Sequence, residues 1–151
     1  MNAAWRAHRA DGVPRRLVAP TRRALDALAR AVRTRSRGRA RSAALDVKQA
    51  ALDLQLRYQA PAEIDRARFD LWARQISVDA SARNHAAVGG DVATLEWVRD
   101  RITRSLEPVA LTRVDTQLEE LRGEVADRRL AAAAKTATAL RKVLARAGAR
   151  R

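Results

Sequence analysis

Apolar residues return at helical spacing in one segment after another, and this constrains the fold more than any other feature. Ile64, Leu71 and Val78 recur every seventh residue, and Val92, Leu95, Val98, Ile102 and Leu106 follow at intervals of three and four. Spacing of that kind places one apolar stripe on an α helix and cannot line one face of a strand. Three Trp, one Tyr and one Phe leave little material for a sheet-rich core, and the absence of Cys excludes a disulfide framework. A chain of 151 residues is long enough to bury one real core.

The stripes predict helices over about 43–58 and 62–83, one from Asp91 to Leu106, one from Thr112 to Ala126, and one from Asp127 to about 147. In the first, Leu52, Leu54, Leu56 and Tyr58 alternate as in a strand, but the longer window with its paired alanines favours a helix. Asn84-His85 reads as a stop, Gly89-Gly90 as a flexible approach, and Asp91 as an N-cap. Thr112 and Asp115 resemble a capping box, with Asp in place of Glu. The expected fold is all-α: a four- to five-helix antiparallel bundle, or stacked helical hairpins, over 42–151, preceded by a basic extension over 1–41. A shift of 42 residues aligns Ile76 with Leu118, Val88 with Leu130 and Val98 with Leu140, which supports a bundle of two hairpins.

The formal net charge of +14 is unevenly placed. Residues 1–41 hold twelve Arg against Asp11 and Asp26, whereas the remainder is close to an ordinary surface. Only Lys48, Lys135 and Lys142 are lysines, so 28 of the 31 cations are Arg. Heavy Arg and Ala usage is also what a GC-rich bacterial genome produces through codon bias. Residues 1–19 read as an irregular arm and Pro20 to Arg35 as a short amphipathic helix. On that helix Leu25, Leu28 and Val32 share one side, and Arg22, Arg23 and Arg30 the other. Arg33, Arg35, Arg37, Arg39 and Arg41 then occupy every second position, which predicts a self-repelling flexible linker.

This arginine-rich segment is the strongest functional signal. Guanidinium forks suit phosphate oxygens, so these eight arginines are candidate ligands for nucleic acid or another polyanion, bound without base reading. An anionic membrane or an acidic protein is a second class of partner, although three bulky apolar residues provide little insertion energy. No RNA-recognition, KH, zinc-finger or helix-turn-helix signature indicates sequence-specific recognition.

Catalytic motifs are missing from the sequence. There is no nucleophile elbow, Gly89-Gly90 lacks phosphate-loop spacing, and His8 and His85 have no partner nearby in sequence. The expectation is a non-enzymatic interaction domain without a cofactor. The alternative is a metal- or ligand-binding bundle using Asp46, Asp53, Asp65 and Asp79, which lie beside the apolar faces of their helices. Trp72 belongs to a wide apolar arc and is expected in the core. Trp97 lies off its helix's stripe beside Arg101 and Arg104, where it packs on a neighbouring helix or anchors a protein partner. Trp5 has no assignable role.

No 18-residue apolar run and no signal-type h-region occurs, which predicts a cytoplasmic protein without a transmembrane span. An export signal upstream of Met1 would change that expectation.

Overall fold

The computed structural model describes residues 13–148. Among them there are six α helices, one short 3-10 turn and no strand. We number the helices α1 (Arg15–Arg33), α2 (Arg37–Gln55), α3 (Pro61–Ser81), α4 (His85–Ile102), α5 (Pro108–Ala126) and α6 (Leu130–Gly148); the 3-10 turn is Thr103–Ser105. The chain divides into two compact units between Gln59 and Ala60. The change in charge at residue 42 therefore falls inside α2, not at a structural boundary.

The six helices form three hairpins that close alike. Pro14, Pro61 and Pro108, at equal intervals of 47 residues, stand at the openings of α1, α3 and α5. A proline fits there because the first helical amides have no intrahelical acceptor. Each opening helix ends on a three-residue turn with an arginine in the left-handed region: Arg35 (φ 51°), Arg83 (φ 56°) and Arg128 (φ 57°). The following amide reaches back five residues, Ser36 to Ala31 at 3.0 Å, Asn84 to Asp79 at 2.9 Å and Arg129 to Glu124 at 2.8 Å. This is the Schellman closure, with Arg where Gly is usual. The 42-residue alignment finds the two later hairpins but misses their register, because their turns lie 45 residues apart.

In the first unit α1 packs on α2. Thr21, Ala24, Leu25 and Ala31 of α1 are buried, as are Ala43, Ala50 and Leu52 of α2. The alanines let the two backbones approach closely. α1 begins five residues before Pro20, which lies inside it and leaves one carbonyl of the preceding turn without its amide. The expected arm is thus corrected over residues 15–19, as is the expected linker. Only Thr34, Arg35 and Ser36 separate α1 from α2, and Arg37, Arg39 and Arg41 open the second helix. Their repulsion is small because all three face water, and Ala43 and Ala50 hold the helix against α1.

The second unit is a ring of four helices: α3 packs on α4 and α6, α6 on α5, and α5 touches α4 more lightly. Phe69, Ile76, Leu95, Ile102, Leu121 and Leu140 are fully buried among its core side chains. Trp72 is half-buried against this core. Three expected helix starts move. α4 starts at His85, six residues before Asp91, because Arg83 takes the left-handed position and frees Asn84 to cap, its Oδ1 accepting from the Ala87 amide at 3.2 Å. Gly89 and Gly90 are therefore helical. α5 starts at Pro108, so Thr112 is one turn inside it and donates back to the Pro108 carbonyl at 3.1 Å. Asp127, expected to cap α6, instead closes α5 and pairs with Arg129 at 3.3 Å.

Candidate nucleic-acid interface

The arginines of the first unit gain an ordered arrangement from the hairpin. Extending α1 back to Pro14 places Arg15 and Arg16 on the same side as Arg22, Arg23, Arg30 and Arg33, opposite the stripe that packs on α2. Six guanidiniums thus run along a helix about 28 Å long. Arg35 in the turn and Arg37, Arg39 and Arg41 at the start of α2 continue them, and all ten are exposed. The only acid from 15 to 41 is Asp26, which faces Arg22 at 3.8 Å with both side chains in water. Such a pair is weak and screened, so it subtracts little from the field of the face.

A groove of about 480 Å³ runs between the two helices. Arg23, Asp26 and Arg30 line it from α1, and Asp46, Gln49 and Asp53 from α2. Gln49 donates to Asp53 at 3.1 Å. The groove mixes both signs: Arg23 and Arg30 share it with Asp46 and Asp53, whereas Arg15, Arg16, Arg22 and Arg33 lie outside its lining.

Of the four carboxylates considered for a metal, the structure places Asp46 and Asp53 on α2 and Asp65 and Asp79 on α3. The latter two are fourteen residues apart, about 21 Å along the helix. Asp65 is buried and ion-paired, with Arg68 at 3.0 Å and Arg101 at 2.8 Å. Asp79 accepts from Gln75 at 2.6 Å and faces Asp91. Among the described residues no group of three or more His, Cys, Asp or Glu is placed to hold a metal ion. The four do not form one ligand set.

His85 opens α4 with its Nε2 2.7 Å from the Val125 carbonyl oxygen, joining α4 to the end of α5. Asp91, read from sequence as a cap, is buried at the α3–α4 contact. Burial, and then the hydrogen bond and charge of Asp79, push its pKa up to about 8. At neutral pH the pair therefore holds one proton, with the Asp91 carboxyl donating to Asp79. Across α4 and α5, Arg99 grips Asp115 with two nitrogens, Nε at 2.6 Å and an Nη at 2.5 Å. Asp70 accepts from Arg74 on its own helix at 2.8 Å and from Arg141 of α6 at 2.7 Å. Burial alone would raise Asp70, but these two arginines outweigh it and hold the carboxyl below its ordinary value.

Two features escape the sequence reading. Arg15 and Arg16 join the basic face only once the equal spacing of Pro14, Pro61 and Pro108 moves the helix start back. Asp91 needs the α3–α4 contact, which no local spacing encodes. His8 and Trp5 lie outside the described residues. Among the described residues no helix is long and apolar enough to cross a membrane. No family model, curated protein or solved structure matches the chain.

Proposed function

We propose that this is a non-enzymatic interaction protein whose first hairpin, α1–α2, holds nucleic acid through phosphates without reading bases. The observation that carries this reading is the single-sided line of six exposed arginines on α1, extended by four more in the turn and the start of α2. Arginine is always charged and can pair with two phosphate oxygens at once, and a rigid helix spaces the guanidiniums along a backbone. The apolar side of α1 also bears on the choice of polyanion. Membrane adsorption needs that side free to insert, but Thr21, Ala24, Leu25 and Ala31 are packed against α2. Phosphate binding needs only the charged side.

Titration of labelled duplex DNA against the full chain at several salt concentrations tests this reading. Six phosphate contacts predict a slope of log K on log salt of about −5. Replacing Arg22, Arg23 and Arg30 together by Ala should flatten the slope by roughly 3 and leave the helical circular-dichroism spectrum unchanged. A slope near zero for the parent chain, or an unchanged slope in the triple variant, overturns the proposal.

A further inference from the structure

Trp97 is unusual in the second unit because so much of a large ring faces water: it is 57% exposed. The guanidinium of Arg101, one turn further along α4, lies 4.9 Å from the ring centroid. A cation over an indole face is attracted by the ring's negative π surface. Arg101 is also held in place from behind. Its Nε donates to Asp65 Oδ2 at 2.8 Å, and Asp65, only 3% exposed on α3, accepts from Arg68 on its other oxygen at 3.0 Å. A buried carboxylate thus orients a guanidinium over an exposed ring.

The charges near the ring favour an anion. Arg104, exposed in the 3-10 turn, lies beyond Arg101 along the chain. The two acids that flank Trp97 on α4 are engaged elsewhere: Asp100 pairs with Arg99 at 3.0 Å, and Glu96 faces Arg122 of α5 at 2.7 Å. What remains is a flat aromatic surface beside Arg104 and beside Arg101, whose partner Asp65 is shared with Arg68 and so offsets only one of those two charges. A nucleotide offers the complementary pair within one repeat unit, a planar base and a phosphate. In a duplex the base faces are already stacked on each other, so only a single strand can present one to the ring.

We propose that Trp97, Arg101 and Arg104 form a stacking platform for single-stranded nucleic acid, with a base on the open side of the indole and the guanidiniums on flanking phosphates. For the class of partner this rests on the reading of α1–α2, but it uses separate residues and adds a preference that the α1 arginines do not provide.

The test compares an oligothymidylate of about 15 nucleotides with a duplex of the same length, using the full chain. The single strand should quench tryptophan emission, and Trp97→Phe should remove most of that quenching while keeping part of the affinity. Trp97→Ala should weaken single-strand binding about tenfold and leave duplex binding unchanged. The α1 triple variant should weaken both ligands, which separates failure of the first reading from failure of this one. Equal loss for both ligands in Trp97→Ala, no loss for either, or no emission change at saturation overturns the platform. So does a Trp97-dependent dimer in sedimentation, which would make a second copy of the chain the occupant.

Discussion

Asp91 on α4 and Asp79 on α3 meet as a carboxyl and a carboxylate in the contact between the two helices, with Gln75 donating to the Asp79 side of the pair at 2.6 Å. Folding raises the Asp91 pKa from 3.8 to about 8. A group raised in this way contributes stability that is complete below its unfolded pKa and is lost as pH rises through the folded value. The second unit should therefore lose stability between about pH 4 and pH 8. Asp91→Asn keeps a donor toward Asp79 without a titrating proton. It should flatten the melting temperature over that window and raise stability at pH 8 by about 1–3 kcal/mol. An unchanged pH profile in the variant would show that the pair does not share a proton.

Asp70 acts with the opposite sign at the acid end. Arg74 and Arg141 hold its pKa below 3.8, so its contribution is present above that value and is lost as pH falls through the lower folded value. Asp70→Asn should reduce acid sensitivity below about pH 4 while lowering stability at neutral pH. Urea unfolding at matched pH values reads both effects.

Arg99 and Asp115 bridge the lightest helix contact of the ring, that between α4 and α5. The hydrogen bond that Arg99 donates to Asp115 raises the guanidinium pKa further above its already high value, so Arg99 stays charged under ordinary conditions. The two-pronged geometry makes it worth more than a typical surface pair, about 1 kcal/mol. Asp115→Ala should cost roughly that amount. A double-mutant cycle with Arg99→Ala should return a coupling energy of similar size; zero coupling would show that the pair contributes nothing.

Arg35, Arg83 and Arg128 hold a backbone conformation that glycine adopts without penalty. Replacing Arg83 or Arg128 by Gly should stabilise the second unit by about 0.5–1 kcal/mol, despite the greater freedom glycine gives the unfolded chain. Thermal melts of the two single variants and of the pair check this, and a loss of stability would show that the side chains support the turns.

Leu140 lies fully buried in the core on α6. Leu140→Ala should cost about 2–5 kcal/mol, since the rigid ring of helices cannot close fully over the space. Chemical denaturation gives the value, and a change below 1 kcal/mol would mean that the core repacks.

Much of the helical fold is written in local spacing. The stripe Ile64, Leu71, Val78 and the run from Val92 to Ile102 identify helices whatever surrounds them, because a 3.6-residue period is a property of the segment. Element ends were harder to read. Asn84 and Arg83 are both able to take the left-handed turn position, and the choice of Arg83 moves the start of α4 by six residues. The basic face was partly legible: Arg22, Arg23 and Arg30 stand apart from Leu25 and Leu28 on any helical wheel. Arg15 and Arg16 join them only when Pro20 is accepted inside a helix, which costs a hydrogen bond that packing on α2 offsets.

The sequence by itself determined that this chain is helical, that its charge concentrates in arginines near its N-terminal end, and that it lacks the thiols and motif spacings of many familiar sites. These follow from composition and period, which act within a few turns of chain. The tertiary structure decided which charges meet. Helix packing placed Asp91 against Asp79 and Asp65 behind Arg101, although each pair is separated by ten residues or more. Packing α1 on α2 turned an alternating arginine run, expected to repel itself into a flexible linker, into a turn and the start of a helix. Repulsion between exposed charges is weakened by the high dielectric of water and screened by salt beyond about 10 Å, whereas close packing of buried alanines is not.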